Sequence, residues 1–243
     1  MEQKQKFPTE IVDLPSQGKL YPKESPLSKG SIEMKYMTAK EEDILTNQNY
    51  IQKGIVIDKL LKALIVDSTI NYNDLLNALL IAARILGYGK DYEFEYAGEK
   101  EVIDLSLLNN KELHPEIKKA QENSFNFKLP ASGKVITFKL LSHGDEIKIE
   151  QEVKGLKKIN KESSAQLSTR LKHIIIAVNG DEDTKNIRAF VDNEFLARDS
   201  RSFRNYLRDF QPDVDMKFYP ETGPEGGVDI PIGVNFLWPD ATI

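Results

Sequence analysis

One stretch limits what this chain can fold into more than any other. Between residues 73 and 86, Leu75, Leu76, Leu79, Leu80, Ala83 and Leu86 recur at helical spacing, and Ala78, Ile81, Ala82 and Ile85 fill the other faces. A helix apolar on nearly every side has to be covered on every side, so this one predicts the centre of a core. It is no membrane span: a bilayer takes roughly 20 apolar residues, and this run is shorter and holds Asn77 and Arg84. Gly87 is the expected left-handed stop. With 243 residues, 40% of them hydrophobic, the chain has enough apolar material to surround such a helix.

The flanking pattern alternates helical groups with short strands. Thr38-Ala39-Lys40-Glu41 matches a capping box and opens a helix to about residue 47. A second helix is expected over 55–66, where Ile57, Leu60, Leu61, Leu64 and Ile65 share a face. Strands follow at 91–96 and 102–105 around a turn at Ala97-Gly98-Glu99-Lys100, and a short helix after His114-Pro115. A second hairpin is expected from 125–129 and 135–141. Beyond it come helices over 145–158 and 164–178, then two more capped by Asp183 and Asp199. Strands over 214–219 and 230–238 close the chain. Without regular βαβ alternation, the reading is α+β, with helical groups alternating with short antiparallel β-ribbons and an extended N-terminal arm. The expected divisions are an arm at 1–31, a helical domain with a β-ribbon at 32–120, and an α+β domain at 121–243.

The arm carries Pro8, Pro15, Pro22 and Pro26, each of which removes a backbone donor. Its apolar residues stand singly, so it cannot build a core of its own. Phe7, Ile11, Leu14, Leu20 and Tyr21 are therefore candidate partner-binding residues of a docking strap, with a disordered tail as the alternative. A second candidate surface is the cluster Arg198, Arg201 and Arg204, with Arg208 beyond. It reads as a protein-facing patch, a solvated helix face, or arginines set on phosphates beside Phe203 and Tyr206. The net charge of −5 argues against the last, since phosphate binding needs a basic field.

Catalytic chemistry finds no constellation. There is no Cys, only three His, and no Gly-x-Ser-x-Gly elbow or Walker-type loop. His143-Gly144-Asp145-Glu146 reads as a turn with acidic residues at a helix start rather than a metal site. The polar N-terminus leads into no apolar signal segment. The expectation is a non-enzymatic protein with no catalytic residues, no cofactor, no metal, no nucleic-acid partner and no membrane partner. The sequence sets no oligomeric state.

Several stretches, in order, resemble the baseplate hub and baseplate assembly family of T-even-type bacteriophages. These are Leu14-Pro15-Ser16-Gln17-Gly18-Lys19-Leu20-Tyr21-Pro22, Met37-Thr38-Ala39-Lys40-Glu41-Glu42-Asp43-Ile44-Leu45-Thr46 and Ala82-Ala83-Arg84-Ile85-Leu86-Gly87-Tyr88-Gly89. In the second half they are Leu141-Ser142-His143-Gly144-Asp145-Glu146, Phe195-Leu196-Ala197-Arg198-Asp199-Ser200-Arg201 and Phe236-Leu237-Trp238-Pro239. The resemblance implies a structural subunit of a contractile-tail baseplate, or a transient chaperone of hub assembly, with other baseplate or tail proteins as partners. It places the protein in the host cytoplasm during assembly and then in the virion tail baseplate. Relatives often carry paired cysteines suggestive of zinc knuckles; the matching places here, around Tyr96-Ala97-Gly98 and around 219–223, have none. The segment Tyr72-Asn73-Asp74-Leu75-Leu76 also looks shorter than the family's equivalent, which often holds a Gly-Asp-Arg-like element. A zinc clip needs about four N or S ligands, so elemental analysis of the purified protein should find no stoichiometric zinc. Near-equimolar zinc, with melting lowered by a chelator, contradicts this.

Overall fold

The apolar segment forms helix α4 (Leu76–Tyr88), against which residues 56–64, 105–107 and 234–237 pack. The computed structural model describes residues 8–67, 76–159, 165–220, 226–232 and 234–238, so the expected helix start at Asn73 lies outside the described residues. Leu79 and Ala83 are wholly buried, and Ala78, Leu80, Ile81, Ala82 and Leu86 nearly so. The helix does not stop at Gly87. It runs to Tyr88, and Gly89 takes the left-handed conformation (φ 83°) with its amide on the Ile85 carbonyl at 3.0 Å. Gly87 serves a close approach instead, since a Cβ there would come within 2.8 Å of Met37 Cε. Arg84, buried in this apolar helix, donates to the carbonyls of Gly89 (2.8 Å) and Asp91 (2.9 Å), so it closes the helix end and turns the chain into the next strand.

Residues 8–31 are not a free arm, which corrects for them the reading of a strap waiting for a partner. Strand β1 (Thr9–Asp13) pairs antiparallel with β2 (Ser31–Lys35), with Ile11 opposite Glu33. The loop between them closes tightly: Gly30 (φ 76°) lies so near the Gln17 backbone that a Cβ would sit 2.9 Å from its carbonyl carbon. Leu14, Leu20 and Tyr21 are consequently buried in the chain's own core and are not available to a partner. The physical reason is that prolines alternating with single apolar residues suit a strap over any groove, and residues 32–120 supply one. Ile11 alone of these candidates stands open, at 63% exposure. Phe7 lies outside the described residues.

Helix α1 (Ala39–Leu45) starts with the expected capping box: the Glu41 carboxylate accepts from the Thr38 amide (3.0 Å) and hydroxyl (2.6 Å). It ends before residue 47, because Asn47 caps an unforeseen helix, α2 (Gln48–Gln52), by accepting from the Tyr50 amide. Helix α3 (Val56–Leu64) stops short of the expected 66, as Ile65 bridges to Met34 of β2. Strands β3 (Asp91–Tyr96) and β4 (Glu99–Asp104) meet at Ala97 and Gly98, both with positive φ. That two-residue turn draws Glu99 and Lys100 into the strand. Helix α5 (Pro115–Lys119) follows His114 as expected.

In the second half, β5 (Phe125–Lys128), β6 (Val135–Phe138) and β7 (Ile175–Val178) form a three-stranded antiparallel sheet. β7 overturns the expected helix over 164–178: helix α7 (Gln166–Ile174) ends where Ile175 begins to pair with β6. The isoleucine and valine residues fit both periods, and β6 needed a neighbour on its second edge. Helix α6 (His143–Ile159) precedes α7. Helix α8 (Thr184–Asn193), capped by Asp183, and α9 (Ala197–Phe210) follow. Glu152 of α6 ties three of these together, accepting from Arg188 of α8 at 2.6 and 2.9 Å and lying 2.9 Å from His173 of α7. Chiefly through the Arg188 hydrogen bonds, its carboxyl is held at about 2.

Strands β8 (Lys217–Phe218) and β9 (Val228–Asp229) are shorter than expected, and residues foreseen as strand form α10 (Val234–Leu237) instead. The reason is tertiary: Phe236 of α10 packs edge-on against Tyr92 at 5.0 Å, and the Trp238 indole donates to the Leu45 carbonyl at 3.0 Å. The fold is α+β, with helical groups between small antiparallel sheets. Among the described residues no helix is long and apolar enough to cross a membrane. Leu79→Asp should abolish the fold, because an unpaired buried carboxylate costs several kcal/mol against a total stability of about 5–15. Circular dichroism that retains the wild-type melting transition would show that α4 is not central to the core.

Candidate docking surface

Helix α9 is amphipathic, and its buried side fixes where its exposed side looks. Phe203 and Phe210 enter an aromatic cluster, 5.2 and 5.3 Å from the Phe138 ring centre, and Tyr206 lies 4.7 Å from Phe127. Burial, reinforced by the nearby Glu116 carboxylate, pushes the Tyr206 phenol up to about 12. Arg198, Arg201, Arg204 and Arg208 occupy the opposite, exposed side. Among the described residues Arg198, Arg201 and Arg204 form no ion pair with a carboxylate, although the chain has 38 acidic residues against 33 basic ones. Among the described residues Arg204 donates to the Ser200 carbonyl, at 3.3 Å.

Asp199 does not cap α9 as the sequence suggested. Leu196 is the cap residue, and Asp199 sits in the first turn, fully buried. Its two carboxylate oxygens accept the amides of Ala131 (2.7 Å) and Ser132 (3.0 Å) in the turn between β5 and β6. Burial pushes this carboxyl up, but the Ala131 amide, the hydroxyl and amide of Ser132 and the nearby Arg198 charge outweigh it and hold it below the ordinary carboxylate range. The bond pins the start of α9 to the sheet.

Between α9 and α7 lies a cleft of about 320 Å³. Helix α7 contributes residues at i, i+3, i+4 and i+7, namely Leu167, Arg170, Leu171 and Ile174, and α9 contributes Arg204, Leu207 and Arg208, with Gln211 just past its end. Leu140 and Leu141 also line it, and Lys111 and Lys139 add to its charge. Among the described residues the lining is a leucine-rich strip bordered by five cations, with Asp213 the single acid. Lys111, Lys139 and Arg170 are partly committed to Asp213, Asp145 and Glu146, whereas Arg204 is not.

The structure therefore brings together one of the three predicted arginines, Arg204, with Arg208; Arg198 and Arg201 lie on the same helix outside the cleft. Sequence reading missed Lys111, Lys139 and Arg170, which come from three other segments and carry no local signal. The His143 cluster is a helix start. Ser142 and Asp145 exchange bonds as a capping box (3.0 and 3.1 Å), and His143 pairs with Asp58 of α3. Among the described residues no group of three or more His, Asp or Glu could hold a metal. Comparison with protein-family models, with curated proteins and with solved structures found no match.

Asp199→Ala should destabilise the protein by about 2–3 kcal/mol, the range for losing charge-assisted hydrogen bonds and stranding their donors. The sign with pH follows from the lowered carboxyl. Its contribution is complete above the ordinary carboxylate range and is lost as pH falls through the lowered value. Urea unfolding should therefore show the gap between wild type and variant closing in acid. An equal gap at neutral and strongly acid pH contradicts the assignment.

Proposed function

We propose that this chain is a non-enzymatic docking subunit of the baseplate, in the hub region, of a contractile-tailed bacteriophage. Two lines support the reading. The first is the ordered set of sequence stretches that resembles the T-even-type baseplate family. The second, which carries the docking mechanism, is the cationic cleft between α7 and α9 in a chain whose net charge is −5. Two helices presenting i, i+3 and i+4 residues across a leucine-rich strip make a seat for a third helix. Cations around that seat select an acidic amphipathic segment over a neutral one and steer its approach.

The cleft is small and its charged rim is sensitive to salt. That suits a reading in which the same protein is a transient assembly chaperone, since a permanent subunit buries of order 2,000 Å² or more. On either reading the protein works in the host cytoplasm during assembly, and a permanent subunit is retained in the virion tail.

The test is a tagged chain recovered from infected cells at low and high salt, beside mass spectrometry of purified virions. Wild type should carry tail proteins with it, and Arg204→Glu with Arg208→Glu should reduce their recovery about tenfold while melting is unchanged, since both arginines are exposed. Presence in the virion identifies a permanent subunit and absence a chaperone. Equal recovery by the variant, or recovery of nucleic acid in place of tail proteins, overturns the proposal.

A further inference from the structure

A second surface, on the other half of the molecule, is built for a different kind of chain. In the β1–β2 pair the Leu14 amide donates to the Gly30 carbonyl (2.8 Å) and the Tyr36 amide to the Pro8 carbonyl (3.2 Å). Alternation along an antiparallel ladder then directs the even-numbered residues of β1 toward β2. The amides and carbonyls of Thr9, Ile11 and Asp13 face the other way. Among the described residues they have no backbone partner, and β2 is the single strand paired with β1.

That open edge borders a groove of about 350 Å³. Ile81, Ala82, Ile85 and Leu86 of α4 line it together with Leu105 and Leu108. An unpaired strand edge beside an apolar groove is the arrangement into which an extended peptide adds as a further strand. The groove also has a sign. Among the described residues its lining includes two carboxylates, Asp13 and Glu10, the latter accepting from the Tyr36 hydroxyl at 3.1 Å, and no cation. A second copy of β1, Thr-Glu-Ile-Val-Asp, would set its own acids against these and is disfavoured.

We infer that β1 and α4 form a β-augmentation site for an extended, alternately apolar and basic segment of a partner protein. The inference is independent of the α7–α9 cleft and of any phage origin: it concerns another surface, another backbone conformation and the opposite charge. It gives β1 a use that its local stability does not require, because Ile11 is 63% exposed and contributes little to the core.

The test uses the full chain and labelled ten-residue peptides by fluorescence anisotropy. A Lys-Val alternating peptide should bind, and its Glu-Val counterpart and a copy N-methylated at alternate amides should not. Ile11→Pro removes an outward-facing amide and no amide of the β1–β2 ladder, so the ladder survives while peptide affinity drops at least about tenfold, the scale of one lost hydrogen bond, with the lost Ile11 side chain adding to it. Because proline could disturb the strand, a second variant, Glu10→Lys with Asp13→Lys, should keep the fold and move the preference to the Glu-Val peptide. No binding of the Lys-Val peptide, binding indifferent to N-methylation, or an unaltered preference in the double variant each overturn the inference.

Discussion

The arrangement of this protein depends on carboxylates buried at helix starts. Among the described residues the buried acids are Glu41, Asp145 and Asp199, and each is the third residue of its helix. A buried carboxylate is tolerated only where donors converge on it, and the free amides of a helix start are such donors. Glu41 and Asp145 use them reciprocally, with Thr38 and Ser142 as cap residues. In both cases burial raises the carboxyl but the hydrogen bonds prevail, so it lies below its ordinary value. At α9 the cap residue is Leu196, which has no hydroxyl to exchange. Asp199 therefore reaches across to the β5–β6 turn, and a local cap becomes a tertiary clamp. That clamp, with Phe203 and Phe210, sets the rotation of α9 and so the direction of its arginines.

The sequence was most legible where a helix carries its own start signal. The Thr38 box, the Asp183 cap and the apolar stripe of α4 are local, and local chemistry can be read locally. It was least legible where a residue fits two patterns and a distant neighbour decides. Ile175, Ala177 and Val178 complete a helical stripe as well as a strand, and only the open edge of β6 makes them β7. The two chain ends illustrate the same point. Pro-spaced apolar residues in 1–31 promised a strap for a partner, yet Leu14, Leu20 and Tyr21 complete the core of their own chain. The long-range clasp is instead at the other end, where the Tyr92 hydroxyl donates to the Pro231 carbonyl at 2.7 Å and Asn77 reaches Asp213 at 3.2 Å.

The candidate surface was half legible for a related reason. Arginines at helical spacing on α9 are a one-dimensional signal. The cations facing them, Lys111, Lys139 and Arg170, belong to a loop, the end of a hairpin and another helix, and meet only in three dimensions. Charge at each of these positions is unremarkable by itself. What distinguishes them is the leucine-rich strip they border, because cations beside apolar surface are less hydrated and bind an incoming carboxylate more strongly than cations in open solvent.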